Sequence, residues 1–331
     1  MSNLSLSDGF LSSQHLDRGM AYQKQNMLHE ALFEYDTALQ LTPDDKYVRW
    51  NRATTLLSLG EYEEGFKEHD WAWKLFDWQG FGPVRGDMAR IRHLPMWHGE
   101  DVSGERLLVY HELGFGDAIQ TMRYLPELRR RAARVTLVIN SEMVRLAQQF
   151  GVDVIDHVPE DVSEFTYRLP MFGVMSALKQ TLHNIPNQPY IHSKYHYERT
   201  GCLMGVCWSG RTQTAFSQDY FLSKLKHEGF ELHSLQLGPT TDGVYPLSSR
   251  DFADTVELIE AMDHIVTIDS APAHLAGAMG HPSVHLLLPF FCDWRWWFAK
   301  TWYPRIKTYK QISVGDWDLP FTKLNEALRG N

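Results

Sequence analysis

One segment, residues 263–289, restricts most strongly what this chain can fold into. Residues 265–268 are apolar and mostly β-branched, which is typical of a strand covered on both faces. Ser270 follows, and serine is a preferred helix N-cap because its hydroxyl accepts a free backbone N–H. Residues 271–279 then predict a helix of small side chains, and residues 284–288 a second buried strand. The segment therefore predicts a βαβ unit whose helix begins at the carboxyl end of a strand.

Such a helix start is a natural site for phosphate. Its unpaired N–H groups and partial positive charge attract anions, and open parallel sheets bind ligands at the carboxyl ends of their strands. His274 lies in the first turns of the predicted helix. Its imidazole could add a donor to this site, or it could be an ordinary core or surface histidine.

Size and charge narrow the classes of function. The chain has 331 residues, 44% of them hydrophobic, which is enough for two or three domains with real cores. A net charge of −9 argues against a nucleic-acid partner. Neither a membrane-spanning apolar run nor a signal peptide is recognisable. The three cysteines have no metal-type spacing, so we expect reduced thiols and a cytoplasmic location.

The N-terminal part contains a repeat of 34 residues. Small side chains recur at this period, as in the pairs Gly19 with Ala53 and Ala31 with Gly65. The period and pattern resemble the tetratricopeptide repeat, with one unit at 12–45 and the next beginning at residue 46. Two units are few to stand alone, so we expect them to pack on the following domain. Trp71, Trp73 and Trp78 are the candidate contacts, and packing in the core is the preferred interpretation of this cluster.

A second strand-to-helix turn occurs at residues 111–117. It follows an apolar strand at 106–110 and precedes a predicted helix at 118–131. The glycines of the turn allow a ligand to approach the backbone closely. Asp117 is a candidate general base, or alternatively only the cap of the helix. Glu112 is a second candidate, for which we favour a structural role because it lies at a strand end.

Strands and helices alternate through the rest of the chain. Further strands are predicted at 135–139, 152–155, 167–170, 203–208 and 231–236, with helices between them and at 251–262. This alternation predicts an α/β fold with two doubly wound Rossmann-type sheets and a cleft between them. The predicted divisions are a helical repeat segment at 12–78, a linker at 79–104, an N-terminal Rossmann-like domain at 105–198, a C-terminal Rossmann-like domain at 199–315 and a last helix at 316–331. The absence of a GxGxxG turn before any helix counts against a dehydrogenase.

Four runs of residues carry a family resemblance. They are GFGDAIQTMRYLPEL at 114–128, DFADTVELIEAMDHIVTIDSAPAHLAGAMG at 251–280, DWRW at 293–296 and WYP at 302–304. Together with the repeats they resemble bacterial tetratricopeptide-repeat glycosyltransferases, which belong with the heptosyltransferase-like enzymes of glycosyltransferase family 9 and the GT-B fold.

The resemblance implies particular roles. The Asp of the N-terminal GD turn is the proposed base in that family, and it corresponds to Asp117. The family's Ser/Thr-x-x-x-His motif holds the diphosphate of the donor, and it corresponds to Ser270 and His274. Further donor contacts are implied for Ser209, Gly210, Arg211, Asp269 and Ala271, and acceptor contacts for Glu112, Gly114 and Gly116. The Arg-Ser pair that usually follows the W-x-G turn is missing here, and Arg211 or Lys224 could supply the phosphate cation instead.

We therefore expect a metal-independent glycosyltransferase without a cofactor, which moves a sugar from a nucleotide-diphosphate donor to a hydroxyl of a glycan or protein. The repeats could recruit the acceptor. The alternative is a non-catalytic scaffold with a degenerate GT-B domain, which the missing Arg-Ser pair favours. A nucleotide-sugar epimerase would not account for the repeats.

The tryptophans at 294, 296, 297 and 302 could form a platform for a sugar or base, but core or interface packing is the preferred interpretation.

Overall fold

The computed structural model describes residues 6–75, 84, 86–198, 201–210 and 215–329. The chain forms two compact units, and each is built from more than one segment of the sequence. The first comprises Met1–Gln79, Met175–Ile185 and Phe291–Phe298, and the second comprises Gly80–Val174, Pro186–Phe290 and Ala299–Asn331.

The first unit is helical. Its helices are α1 (Leu6–Lys24), α2 (Leu28–Leu41), α3 (Lys46–Leu59), α4 (Tyr62–Leu75), α9 (Val174–Ala177, which begins one residue before this unit) and α13 (Trp294–Trp297). The carboxylate of Asp45 begins α3 by accepting the N–H groups of Tyr47 and Val48. Gly19 lies directly against the ring of Tyr35, where a β-carbon would overlap it. Small side chains therefore allow close helix packing, as the repeat pattern predicts.

The assignment of these helices to the tetratricopeptide repeat stays a prediction. Trp78 lies outside the described residues, as do the side chains of Trp71 and Trp73, so the contacts expected of them are not described. Another tryptophan packs in this unit. The ring centre of Trp294 lies 5.8 Å from that of Tyr62 and 5.6 Å from that of Phe66. Its segment, which falls inside the predicted 199–315 domain, belongs to the helical unit.

The second unit contains two parallel sheets. The first sheet has β1 (Arg106–Tyr110), β2 (Arg134–Val138), β3 (Asp153–Ile155) and β4 (Tyr167–Pro170) in the order β3-β2-β1-β4. The second has β5 (Leu203–Cys207), β6 (Glu231–Ser234), β7 (Val244–Tyr245), β8 (His264–Ile268), β9 (Val284–Leu288) and β10 (Ile306–Lys310) in the order β10-β9-β8-β5-β6-β7. The helices are α5 (Met88–Ile91), α6 (Phe115–Met122), α7 (Leu125–Arg131), α8 (Ser141–Ala147), α10 (Gln218–Lys224), α11 (Phe252–Ala261), α12 (Ala271–Ala278), α14 (Ala299–Trp302) and α15 (Asp318–Arg329).

The strand orders confirm the α/β class with parallel sheets and locate two switch points. The chain reverses its direction of travel across the first sheet between β1 and β4, and across the second between β5 and β8. A crevice opens beside the carboxyl ends of the strands at such points. Residues 111–112 and 208–210, which follow β1 and β5, therefore lie where ligands bind in this class of sheet.

Some elements differ from the sequence prediction. The single helix predicted at 118–131 is divided into α6 and α7, because Pro126 falls in the first turn of a new helix. The predicted linker at 79–104 contains α5 and a bridge from Met96 to the first sheet. Strand β10 was not predicted, since it lies at the sheet edge and its buried Ile306 and Tyr309 are separated by two exposed residues, which gives no period-2 pattern. No helix in the described part of the chain is long and apolar enough to cross a membrane.

Candidate active site

The start of α12 lies at the carboxyl end of β8, as predicted, but its serine acts differently from the prediction. The Ser270 hydroxyl does not accept a helix N–H. It donates to the carbonyl of Ile268 at 3.0 Å, lies 2.9 Å from the Thr267 hydroxyl and accepts the Cys207 thiol at 3.6 Å. The predicted side-chain cap is therefore wrong, because Ser270 turns toward the strand ends and braces the start of the helix.

The turn after β5 lies beside this helix start. A β-carbon on Gly210 would be 3.6 Å from the carbonyl oxygen of Asp269 and 3.9 Å from the β-carbon of Ser270. Gln236 holds the turn, because its side-chain oxygen accepts the backbone N–H groups of Trp208 and Ser209 at 2.8 and 2.9 Å. The structure thus brings together Ser209, Gly210, Asp269, Ser270 and Ala271. Sequence reasoning missed Gln236, although a polar residue just after the carboxyl end of a strand was a usable signal.

The structure describes one of the two residues that could supply the phosphate cation. Arg211 lies outside the described residues. The ammonium of Lys224, the alternative, lies 2.6 Å from the carboxylate of Asp318 at the start of α15. Lys224 therefore forms an ion pair that links α10 to α15.

The start of α6 is capped by Asp117. Its Oδ2 accepts the backbone N–H of Gly114, the residue that precedes the helix, at 2.9 Å. The imidazole of His111 braces the same turn, with Nδ1 2.7 Å from Oδ1 of Asn140 and Nε2 3.1 Å from the carbonyl of Gly114. The cap considered from the sequence is present, and it holds the half-buried Asp117 carboxylate at the edge of the first sheet. The general-base role stays a prediction.

Glu112 fills the switch point of the first sheet. Only 1% of the residue is exposed, and its two oxygens accept the N–H groups of Met171 and Phe172 at 2.9 Å each. Burial, which disfavours the charged form, raises the pKa of Glu112 to about 8 against the two hydrogen bonds that lower it. This arrangement supports the structural role and leaves the carboxylate no open face for the predicted acceptor contact.

The starts of α6 and α12 meet at Gly116 and His274. A β-carbon on Gly116 would lie 2.7 Å from Cδ2 and 3.3 Å from Nε2 of His274. His274 is 4% exposed, and its Nδ1 lies 2.9 Å from the hydroxyl of Tyr303. The glycine expected to admit a ligand therefore admits the imidazole, and the candidate base and the candidate phosphate site lie on adjoining helix turns.

A second contact joins the two sheets within this unit. Phe115 and Phe252 are the first residues of α6 and α11, and their ring centres are 5.0 Å apart. Arg145 of α8 donates to Asp251 at 2.8 Å and to Asp254 at 2.9 Å at the start of α11. The start of α11 thus packs against the start of α6 and pairs with the last turn of α8.

The Gly116–His274 contact can be tested with Gly116→Ala. Alanine normally stabilises a helix by about 1 kcal/mol relative to glycine. Here we expect a loss of about 1 to 3 kcal/mol in the free energy of unfolding, because the added carbon would overlap a buried ring. Urea unfolding measures it. Gly104→Ala is the control, since a β-carbon there meets no atom within 4 Å, and a stability gain for Gly116→Ala would contradict the contact.

Among the residues that the structure describes, no group of three or more His, Cys, Asp or Glu side chains is arranged to hold a metal ion.

A family model matches the part of the chain that carries the α12 start. Residues 239–289, from the segment before β7 to the end of β9, match the model of glycosyltransferase family 9 (heptosyltransferase). This match supports a glycosyltransferase.

Three individual proteins are similar to this chain at sequence identities from 11% to 23%. Protein FlbA of Caulobacter vibrioides is 23% identical, and the alignment covers 99% of this chain and 63% of FlbA, so the chain spans less than two thirds of that relative. The iron-containing dodecameric glycosyltransferase TibC of enterotoxigenic E. coli is 13% identical, with a TM-score of 0.49 and 67% of each chain covered. A family 9 glycosyl transferase of Veillonella parvula is 11% identical, with a TM-score of 0.44, 70% of this chain and 93% of that chain covered.

Proposed function

We propose that this protein is a GT-B-type glycosyltransferase that moves a sugar from a nucleoside-diphosphate donor to the hydroxyl of a glycan or protein. One observation carries the proposal. Gly116 contacts His274, so the turn with Asp117 adjoins the α12 start, within a unit that has two parallel sheets. A base on one sheet and an anion site on the other are the two groups that sugar transfer requires.

The donor half of the proposed mechanism uses the second sheet. The diphosphate binds at the start of α12, beside Ser209 and Gly210, with backbone N–H groups and the imidazole of His274 as donors. As the bond from the anomeric carbon to the phosphate oxygen breaks, negative charge grows on the diphosphate. Fixed donors stabilise that growing charge more than the ground state. In this proposal no metal ion or further cofactor takes part.

The acceptor half uses the first sheet. The Asp117 carboxylate takes the proton of the acceptor hydroxyl, whose oxygen forms the new bond to the anomeric carbon. The products are the glycosylated acceptor and the nucleoside diphosphate. The N-terminal helices are proposed to recruit the acceptor, and the reaction is proposed to occur in the cytoplasm.

Asp117→Asn tests the mechanism. Asparagine keeps an oxygen that can accept the N–H of Gly114, so the helix cap should survive while the base is lost. We expect turnover to fall about 100-fold, within the range for general bases, with nucleotide affinity nearly unchanged. The assay first finds the donor by thermal shift with ADP-, GDP-, UDP- and dTDP-linked sugars. It then follows nucleoside diphosphate release with water or an added acceptor as nucleophile.

The outcomes separate the cap from the base. Asp117→Ala removes both and is the comparison for folding effects. Equal losses of turnover and nucleotide affinity in Asp117→Asn would show that the carboxylate only holds the turn. Unchanged turnover would refute the base.

The second candidate is a non-catalytic scaffold. Two observations favour it, since Asp117 already serves as a helix cap and the Ser270 hydroxyl points into the strand ends. A scaffold with a degenerate site should give no thermal shift with any of these nucleotide sugars at millimolar concentration. A shift specific to one nucleotide would favour the enzyme.

A further inference from the structure

A buried tyrosine holds the imidazole of His274. The Tyr303 hydroxyl lies 2.9 Å from Nδ1 of His274, and Tyr303 is 1% exposed. The opposite edge of the imidazole, Cδ2 and Nε2, faces Gly116 at the junction of α6 and α12. The two ring nitrogens therefore have distinct surroundings.

A buried arginine supports the tyrosine from behind. The guanidinium carbon of Arg123 lies 4.8 Å from the ring centre of Tyr303 and 4.9 Å from that of Tyr190. The Tyr190 hydroxyl accepts from Arg123 at 3.2 Å and donates to the carbonyl of Ile119 at 2.9 Å. This packing fixes the ring of Tyr303 and hence the position of its hydroxyl.

The hydroxyl decides which nitrogen of a neutral imidazole carries the hydrogen. Such a ring has one donor and one acceptor nitrogen. Burial raises the pKa of Tyr303 well above its ordinary value, so the phenol keeps its proton and has it to donate to Nδ1. A hydroxyl that donates to Nδ1 leaves the ring hydrogen on Nε2, at the edge toward α6.

We propose that Tyr303 is a positioning residue that holds His274 in the Nε2–H form, with this donor directed to the junction of α6 and α12. The proposal rests on the proposed function in one respect, namely that the diphosphate of the donor binds there. The Nε2–H group then donates to the oxygen that gains charge as the sugar leaves. Tyr303 itself does not touch the substrate.

Tyr303→Phe tests this and has a matched control. The change removes one oxygen and keeps the ring that Arg123 packs on. The control is Tyr309→Phe, since the Tyr309 hydroxyl lies 2.8 Å from Nδ1 of His285 in the same sheet, outside the proposed site. In the ligand-free protein, ¹H–¹⁵N correlation spectra of labelled histidines report the ring tautomers, and the His274 signals are assigned by their loss in His274→Asn.

We expect His274 in the Nε2–H form in the wild type and in Tyr309→Phe, and a mixture of tautomers in Tyr303→Phe. We also expect kcat to fall about tenfold in Tyr303→Phe with less than a threefold change in donor KM, because the lost donor acts mainly on the transition state. Tyr309→Phe should keep the wild-type kcat.

Two results would overturn the proposal. One is an Nδ1–H form of His274 in the wild type, which needs no variant to fold. The other is an equal loss of kcat in both variants, which would mark a general packing effect. If the wild type binds no nucleotide sugar, the proposed function fails, whereas the tautomer measurement still decides the role of Tyr303.

Discussion

Arg123→Leu is expected to lower the free energy of unfolding by about 3 to 5 kcal/mol, because several buried hydrogen bonds to a charged group are lost at about 1.5 to 3 kcal/mol each. Arg123 is 4% exposed, and its guanidinium donates to the carbonyls of Gln120, Pro186 and Trp302. These acceptors belong to α6, to the segment before β5 and to the end of α14. Leucine fills part of the space but leaves buried oxygens without a donor, and each such loss is costly.

Substituting lysine for Arg123 distinguishes the contribution of the positive charge from that of the planar guanidinium. Arg123→Lys keeps the charge but loses the planar group that packs on Tyr190, Trp302 and Tyr303, so an intermediate loss is expected. Arg130→Leu is the control, because Arg130 is exposed and pairs along its own helix with Glu127. Urea unfolding of the four proteins measures the differences. Arg123→Leu at or above wild-type stability would show that repacking outweighs the lost hydrogen bonds.

The sequence predicted the elements of the site better than the contacts of its side chains. The β-branched run before Asp269 and the small residues after it were enough to predict β8 and α12, because strand and helix signals are local. The direction of the Ser270 hydroxyl was not predictable. It depends on Cys207, which the fold brings from 63 residues away to its side.

Glycine gave a similarly incomplete signal. The glycines around Asp117 predicted a close approach of some group to the backbone, but not which group. That His274 occupies the place at Gly116 depends on the packing of one sheet's helix on another's. The contact of Arg123 with Trp302, 179 residues apart in the chain, had no local signature at all.

Glu112→Gln is expected to change how stability depends on pH. The Glu112 pKa is about 8 in the folded protein and 4.5 as its ordinary value. Because the folded value is raised, the contribution of this group is fully present below pH 4.5 and is lost as the pH rises through 8. At 1.36 kcal/mol per pH unit, the titration of Glu112 lowers the free energy of unfolding by about 5 kcal/mol in total. About 2 kcal/mol of this falls between pH 6.5 and 8.

A buried histidine acts in the opposite direction. Burial, aided by Lys307, lowers the pKa of His285 from 6.5 to about 3. Its contribution is therefore present above pH 6.5 and lost as the pH falls toward 3. Burial lowers the pKa of His69 to about 3 as well, and these histidine contributions are complete above pH 6.5, so the fall of stability above pH 6.5 belongs to Glu112.

Urea unfolding at several pH values from 4.5 to 8 measures this difference. Glutamine does not titrate and has one acceptor oxygen for the two N–H donors of Met171 and Phe172, so Glu112→Gln should be less stable than the wild type at pH 4.5. The gap should narrow steadily toward pH 8, because only the wild type loses the contribution of this group. Glu105→Gln, at the half-buried edge of the same sheet, is the control and should keep the fall above pH 6.5. A gap that widens as the pH rises would mean that the two N–H donors of Met171 and Phe172 outweigh burial and that Glu112 is charged in the folded protein.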